Sequence, residues 1–226
     1  MAKIDIKNHL KLYLVISRAA CGKRDIFEVL HSAIRGGVTL VQLREKHIDA
    51  REYVALAKKV KSFLDKYNIP LIVNDRVDVA LVSGAHGVHV GQEDIHPTDV
   101  RRIAGNDFII GLSVNTPEHA YEANELDIDY VGIGPVFPTT TKKDPKPTLF
   151  IDGLKQILNI VKKPAVGIGG ITEDNCYDVV FAGAEGVAVV SAICSSKDPY
   201  ITAFNMKQKI DKAIYKSRLK NSYKER

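Results

Sequence analysis

The sequence has none of the features that mark a membrane span, a zinc module or a secreted disulfide scaffold. No run of about 18 apolar residues occurs anywhere in the chain, so no transmembrane helix and no membrane partner are expected. The amino-terminal stretch Met1-Ala2-Lys3-Ile4-Asp5-Ile6 has no apolar h-region, so no secretory signal is expected and a cytoplasmic location is. Cysteine is scarce: Cys21, Cys176 and Cys194 stand far apart, lack metal-ligand spacing and cannot all pair. That argues against a structural disulfide or a zinc site. Cys194 follows an apolar run and is expected to pack as a small hydrophobe. The first apolar run leads into Ser17-Arg18-Ala19-Ala20-Cys21-Gly22, which is not the Gly-x-Gly-x-x-Gly turn of a dinucleotide-binding sheet. No Cys, His or Ser stands beside an evident base, so nucleophilic catalysis is not indicated. His86 and His89, which flank the fourth apolar run, are expected to be structural.

Charge of one sign is also missing from most of the chain. The formal net charge is +5, but residues 207–226 hold eight Lys/Arg and two Asp/Glu, a local +6, leaving about −1 for the other 206 residues. The basicity therefore belongs to a carboxy-terminal helix and tail. Aromatic residues there are sparse (Tyr215, Tyr223) and no nucleic-acid motif accompanies them, so a solvated tail is expected and no nucleic-acid partner.

What is present is a repeat of strand and helix. Eight short apolar runs are Leu12–Ser17, Thr39–Arg44, Pro70–Asp75, Gly87–Gly91, Phe108–Val114, Tyr130–Phe137, Pro164–Gly170 and Gly186–Ile193. Helical patterns of period 3.6 separate them, as in the stripe Tyr53, Leu56, Ala57, Val60, Phe63, Leu64 and Tyr67. Near-continuous apolar strands alternating with helices indicate a parallel sheet covered on its outer face, and eight units are the number that closes into a (β/α)8 TIM barrel. No linker interrupts the chain, so residues 1–215 are expected to form one barrel domain, with 216–226 as a basic tail.

Ligands of such barrels meet the carboxy-terminal ends of the strands, which makes those ends one surface. The second run ends Gln42-Leu43-Arg44-Glu45-Lys46; by alternation Gln42 and Arg44 face inward and Lys46 sits above the rim. An inward arginine needs a partner, either a structural ion pair or an anionic ligand. The third and fourth runs end Asn74-Asp75-Arg76 and Gly91-Gln92-Glu93-Asp94. Two carboxylates opposite basic groups suit Mg2+ carrying a diphosphate, because Mg2+ takes one or two carboxylates and completes its octahedron with water and phosphate oxygens. The fifth run puts the Ser113 hydroxyl on the rim. The seventh ends Gly167-Ile168-Gly169-Gly170-Ile171-Thr172, with a helix expected from about Glu173, and the eighth runs Val189-Val190-Ser191-Ala192-Ile193. Glycine turns after strands 7 and 8 suit a monophosphate held by backbone N–H groups. Between these two anion sites lies Tyr130-Val131-Gly132-Ile133-Gly134-Pro135-Val136-Phe137-Pro138-Thr139-Thr140-Thr141-Lys142-Lys143. It begins as a buried strand whose glycines admit a neighbouring backbone or a flat ligand, and ends in hydroxyls and ammonium charge.

Taken in order, these segments resemble the thiamine-phosphate synthase family over about residues 12–195. The resemblance implies a (β/α)8 barrel transferase. It would condense 4-amino-2-methyl-5-hydroxymethylpyrimidine diphosphate with 4-methyl-5-(2-hydroxyethyl)thiazole phosphate, releasing pyrophosphate through a pyrimidinylmethyl-cation-like step. By motif, Gln42 and Ser113 would contact the pyrimidine, and Arg44, Lys46, Asn74 and Lys142 the diphosphate. Asp75 and Asp94 would hold Mg2+, Thr139 and Thr141 would contact the thiazole, and Gly170, Val190 and Ser191 its phosphate. Lys142, Arg44 and Ser113 would carry the catalytic load. The family also allows a homodimer. A thiazole tautomerase of the same barrel would leave Arg44, Lys46, Asp75, Asp94 and Lys142 without a ligand, whereas a non-catalytic regulator that binds a phosphorylated thiazole or thiamine phosphate would be told from an enzyme by turnover with both substrates.

Overall fold

Eight parallel strands close on themselves. The computed structural model describes residues 4–139 and 147–224, with side chains as far as residue 220. The strands are β1 (Leu12–Ile16), β2 (Leu40–Leu43), β3 (Leu71–Asn74), β4 (Gly87–Val90), β5 (Ile109–Val114), β6 (Tyr130–Ile133), β7 (Ala165–Ile168) and β8 (Gly186–Val189). Each pairs in parallel with the next, and β8 returns to β1. This is the (β/α)8 barrel expected from the alternation.

The helices are α1 (Arg18–Cys21), α2 (Ile26–Arg35), α3 (Ala50–Asp65), α4 (Val77–Ser83), α5 (Pro97–Ala104), α6 (Pro117–Glu125), α7 (Phe150–Leu158), α8 (Cys176–Phe181), α9 (Ser191–Cys194) and α10 (Pro199–Lys224). Their starts are written in the sequence. Asp25 accepts from the Phe27 amide to begin α2, and Asp49 accepts from the Glu52 amide to begin α3. Thr116 accepts from the His119 amide ahead of Pro117, the first residue of α6. These side-chain oxygens satisfy N–H groups that the first helical turn leaves unbonded. α3 buries Tyr53, Ala57, Val60 and Leu64, the centre of the stripe read from the sequence.

Alternation divides the strand residues between two cores. Leu12, Leu14, Val41, Leu43, Val73 and Val131 face the helices. Tyr13, Val15, Leu40, Ile72, Ile109, Tyr130, Val166 and Ala188 fill the lumen. Ile6 and Leu10, from the 3-10 turn Ile6–His9 before β1, join the lumen cluster and close the amino-terminal end of the barrel. Cys21, Cys176 and Cys194 are all buried, and Cys194 packs in the outer core. Among the described residues, no helix is long and apolar enough to cross a membrane.

Several element boundaries differ from expectation, two of them beside the glycine turns after β7 and β8. β8 stops at Val189, because Val190 turns the chain (φ −115°, ψ −83°) and Ser191 opens α9 instead of extending the strand. The helix expected near Glu173 begins at Cys176, after a turn in which the Thr172 amide donates to Asn175 Oδ1 (2.8 Å).

Candidate active site

The rim after β2, β3 and β4 gathers charge. Lys46 Nζ donates to Asp75 Oδ2 at 2.6 Å. The amide of Gly91 donates to Asp94 Oδ2 at 2.7 Å, which ties the Asp94 carboxylate to the end of β4. Asp75 sits in the left-handed region (φ 59°), a conformation that aspartate tolerates better than most residues but that still costs about 1 kcal/mol or more. Such strain persists where the surroundings over-determine it, typically at ligand sites. Partial loss of hydration and the adjacent Asp75 raise the pKa of Asp94 above the ordinary carboxylate value, against the Gly91 amide, which lowers it. Two neighbouring carboxylates form a donor set that a divalent cation would suit. No cluster of three His, Cys, Asp or Glu side chains able to bind a metal occurs among the described residues.

Arg44 lies half-buried just past β2. Among the described residues its guanidinium has neither ion-pair nor hydrogen-bond partner. Among the described residues, then, no structural ion pair supplies the partner that an inward arginine needs. Asn74 ends β3 beside His89 of β4, half-buried on the same side of the barrel.

Across the barrel, the turn after β7 carries Gly169 and Gly170 at φ 97° and 63°. A Cβ on Gly170 would sit 2.5 Å from the Pro138 carbonyl oxygen and 2.7 Å from Phe137 Cβ. Only glycine lets the β7 turn lie against the β6 loop. Ser191, at the head of α9, is exposed, and half-buried Val190 precedes it. The residues read from the sequence as two anion sites thus follow different strands, β2–β4 for one group and β7–β8 for the other. Thr139 is half-buried at the edge of the β6 loop, while Thr141 and Lys142 lie outside the described residues.

Below the rim, a line of polar side chains crosses the lumen. Gln42 Nε2 donates to Tyr13 Oη at 2.6 Å, and the Tyr13 and Tyr130 hydroxyls are 2.8 Å apart. Tyr130 Oη lies 3.0 Å from His89 Nδ1, and His89 Nε2 lies 3.0 Å from Ser113 Oγ. Glycines make room for this line: a Cβ on Gly111 would meet Tyr130 at 2.2 Å and His89 Nδ1 at 2.5 Å, and one on Gly132 would meet His89 Cε1 at 3.2 Å. Gln42 and Ser113, named from the sequence as pyrimidine contacts, are its two ends. Sequence reasoning missed the middle. His89 was expected to be structural and no hydroxyl was expected beside a base, yet Ser113 and His89 are hydrogen-bonded. The signal was there in part, because alternation turns His89, Gly111 and Ser113 inward. The pairing itself depends on the register of β4 on β5, in which His89 faces Gly111. His86 does play the structural part expected of it: its Nδ1 accepts the Leu71 amide at 3.0 Å, and burial lowers its pKa.

A cavity of about 450 Å3 lies elsewhere, lined by Ile151, Lys155, Asp178, Phe181 and Lys220 among others, and shares no residue with this rim.

A family profile described as thiamine monophosphate synthase matches residues 12–193. The thiamine-phosphate synthase of Albidiferax ferrireducens is 45% identical over 202 residues, covering 89% of this chain and 92% of that relative. The thiamine-phosphate synthase of Clostridium tetani is 48% identical over 187 residues, covering 83% and 89%. Among solved structures, the thiamine phosphate pyrophosphorylase from Pyrococcus furiosus matches with a TM-score of 0.84 at 35% identity, covering 92% of this chain and 98% of that one.

Proposed function

The chain belongs to the thiamine monophosphate synthase family, and from that premise we propose that it joins an aminopyrimidine diphosphate to a thiazole phosphate. The substrates are 4-amino-2-methyl-5-hydroxymethylpyrimidine diphosphate and 4-methyl-5-(2-hydroxyethyl)thiazole phosphate; the products are thiamine phosphate and pyrophosphate. The observation that carries this reading is the pair of carboxylates, Asp75 and Asp94, beside Lys46.

In this mechanism Arg44, Lys46 and Asn74 hold the diphosphate, with Lys142 supplied by the loop after β6. The bond between the pyrimidinylmethyl carbon and the diphosphate oxygen breaks, and its electron pair leaves with pyrophosphate. Arg44, Lys46 and Lys142 stabilise that growing charge, which is where fixed electrostatics lower a barrier most. The amino group of the ring delocalises the carbon's positive charge until the thiazole nitrogen bonds to it. Gln42 and Ser113 fix the pyrimidine, Thr139 and Thr141 the thiazole, and Gly170, Val190 and Ser191 its phosphate. Asp75 and Asp94 would hold Mg2+, which neutralises diphosphate charge when bound.

The test is pyrophosphate release with both substrates, and with each left out in turn. Release that requires both supports the condensation; release without the thiazole phosphate would make the protein a hydrolase. A narrower expectation concerns the two anion sites. Ser191→Ala should weaken the thiazole phosphate about 10- to 100-fold, the scale of one hydrogen bond to a charged group at about 1.5–3 kcal/mol. Binding of the pyrimidine diphosphate, measured by calorimetry, should stay within about twofold. Equal weakening of both would merge the two sites into one.

A further inference from the structure

Five side chains run in an unbroken hydrogen-bonded line from Gln42 to Ser113, and three of them, Tyr13, Tyr130 and His89, have no part in the proposed chemistry. An apolar filling would serve the lumen's packing equally well, since Val15, Leu40, Ile72 and Val166 already supply it. Polar groups buried this deeply are tolerated only when each finds a partner. Burial holds both phenols well above their ordinary pKa, so each is neutral and has one proton to give.

With His89 neutral, proton counting leaves two arrangements. In the first, Gln42 donates its amide N–H to Tyr13, Tyr13 donates to Tyr130, and Tyr130 donates to Nδ1 of His89. The neutral imidazole then carries its proton on Nε2 and donates it to Ser113 Oγ. Ser113 keeps its own proton for a ligand, and Gln42 keeps its carbonyl oxygen. In the second, every donor and acceptor is exchanged: the Ser113 proton is spent on His89, Tyr13 donates to the Gln42 carbonyl oxygen, and Gln42 turns its N–H groups to the ligand. The two ends cannot choose separately, because each link has a single proton.

We propose that the line Gln42–Tyr13–Tyr130–His89–Ser113 acts as one two-state element that reads the amino group of the incoming heterocycle. Tyr13, Tyr130 and His89 are its positioning residues. A ring that gives an N–H to Gln42 selects the first arrangement and so finds Ser113 ready to donate to its ring nitrogen. A ring with a carbonyl in place of the amino group reverses the line and loses the Ser113 donor. The discrimination is thus made twice for one substituent. It rests on the reading that Gln42 and Ser113 flank the pyrimidine.

The experiment has two readouts on the full chain. The first is 15N NMR of labelled histidine with the aminopyrimidine diphosphate bound. His89 should be protonated at Nε2 and bare at Nδ1, and Tyr130→Phe, which removes one oxygen and little volume, should change that tautomer signal. The second is the ratio of kcat/KM for the aminopyrimidine diphosphate to that for its oxo analogue. Tyr130→Phe and Tyr13→Phe should each shrink the ratio about tenfold or more, the scale of one hydrogen bond. Tyr53→Phe loses a buried hydroxyl outside the line, one that donates to the Leu43 carbonyl, and should leave the ratio alone. A proton on Nδ1 of His89 in the bound wild-type protein overturns the proposal. So does a Tyr130→Phe variant that slows both analogues equally, or a Tyr53→Phe variant that shifts the ratio as far. If the wild-type protein releases no pyrophosphate at all, the reading of its activity fails, while the tautomer with the diphosphate bound still judges the line.

Discussion

Asp75→Asn and Asp94→Asn should each lower turnover about 10²- to 10³-fold, and a chelator should do the same to the wild-type protein until Mg2+ is restored. The magnitude is that of losing one fixed electrostatic stabiliser, about 2.7–4 kcal/mol. Asparagine is the informative substitution. It keeps the shape of aspartate and its tolerance of the left-handed backbone at residue 75, and it removes only the charge. The fold should persist, because Asp94 is exposed and the Lys46–Asp75 pair lies at the surface, where an ion pair contributes at most about 1 kcal/mol. Thermal midpoints should therefore move by only a few degrees while turnover collapses. The pH dependence has a definite sign. Asp94 holds its proton more tightly than an ordinary carboxylate, and that proton competes with the cation, so Mg2+ affinity should fall as the solution is acidified. Full turnover in the chelator would remove the metal from the mechanism.

The largest loss of stability is expected far from the rim. Arg101 of α5 is 8% exposed, and its guanidinium reaches four backbone carbonyls and the carboxylates of Asp127 (3.1 Å) and Asp129. It donates to the carbonyls of Gly105 (2.8 Å), Asn106 (3.3 Å), Phe108 (2.6 Å) and Asp127 (3.1 Å), and to Asp129 Oδ2 (2.9 Å). Asp129 Oδ2 also accepts the Ile110 amide at 2.8 Å, so one arginine fastens the loops that feed β5 and β6. Arg101→Met fills much of the volume but takes the guanidinium away from the Asp129 carboxylate, whose side chain is only 11% exposed. Breaking a buried pair in this way costs about 3–5 kcal/mol. For a domain of this size that corresponds to a fall of about 6–20 °C in Tm. Adding Asp129→Asn should recover part of the loss, since the stranded charge is the larger share of the damage. A loss below about 1 kcal/mol in urea unfolding would show that the carbonyls and Asp129 find other partners.

The barrel was legible because parallel strands buried on both faces leave long apolar runs, and helices between them leave a different period. The ends of the strands were harder to read. β6 was expected to reach Phe137 but ends at Ile133. The pairing does continue past the interruption, with the Val136 and Phe137 amides donating to the Ile168 and Gly169 carbonyls at 2.9 and 3.0 Å. Pro135 has no N–H and breaks the ladder between them. At β8, the run Ala192-Ile193 suits a strand or a helical turn equally, and the backbone at Val190 decides for the turn. The candidate rim residues could be named because alternation and strand ends fix which way a side chain points. What joins them could not. The Ser113–His89 contact depends on inter-strand register, and the Arg101 web on loops folding back, neither of which has a local signature.

The small apolar plug formed by Ile6 and Leu10 bears on traffic through this barrel. A vessel stopped at one end has a single doorway, and everything that visits its floor must pass whatever stands at the mouth. Gln42 is 4% exposed and deep, whereas Ser191 is open at the top. Under the proposed assignment depth becomes sequence in time: the ring that rests on Gln42 arrives first, and the molecule that rests on Ser191 follows and shuts it in. Steady-state kinetics should then be ordered, with the thiazole phosphate binding productively only to the occupied protein, and the joined product leaving by the same doorway.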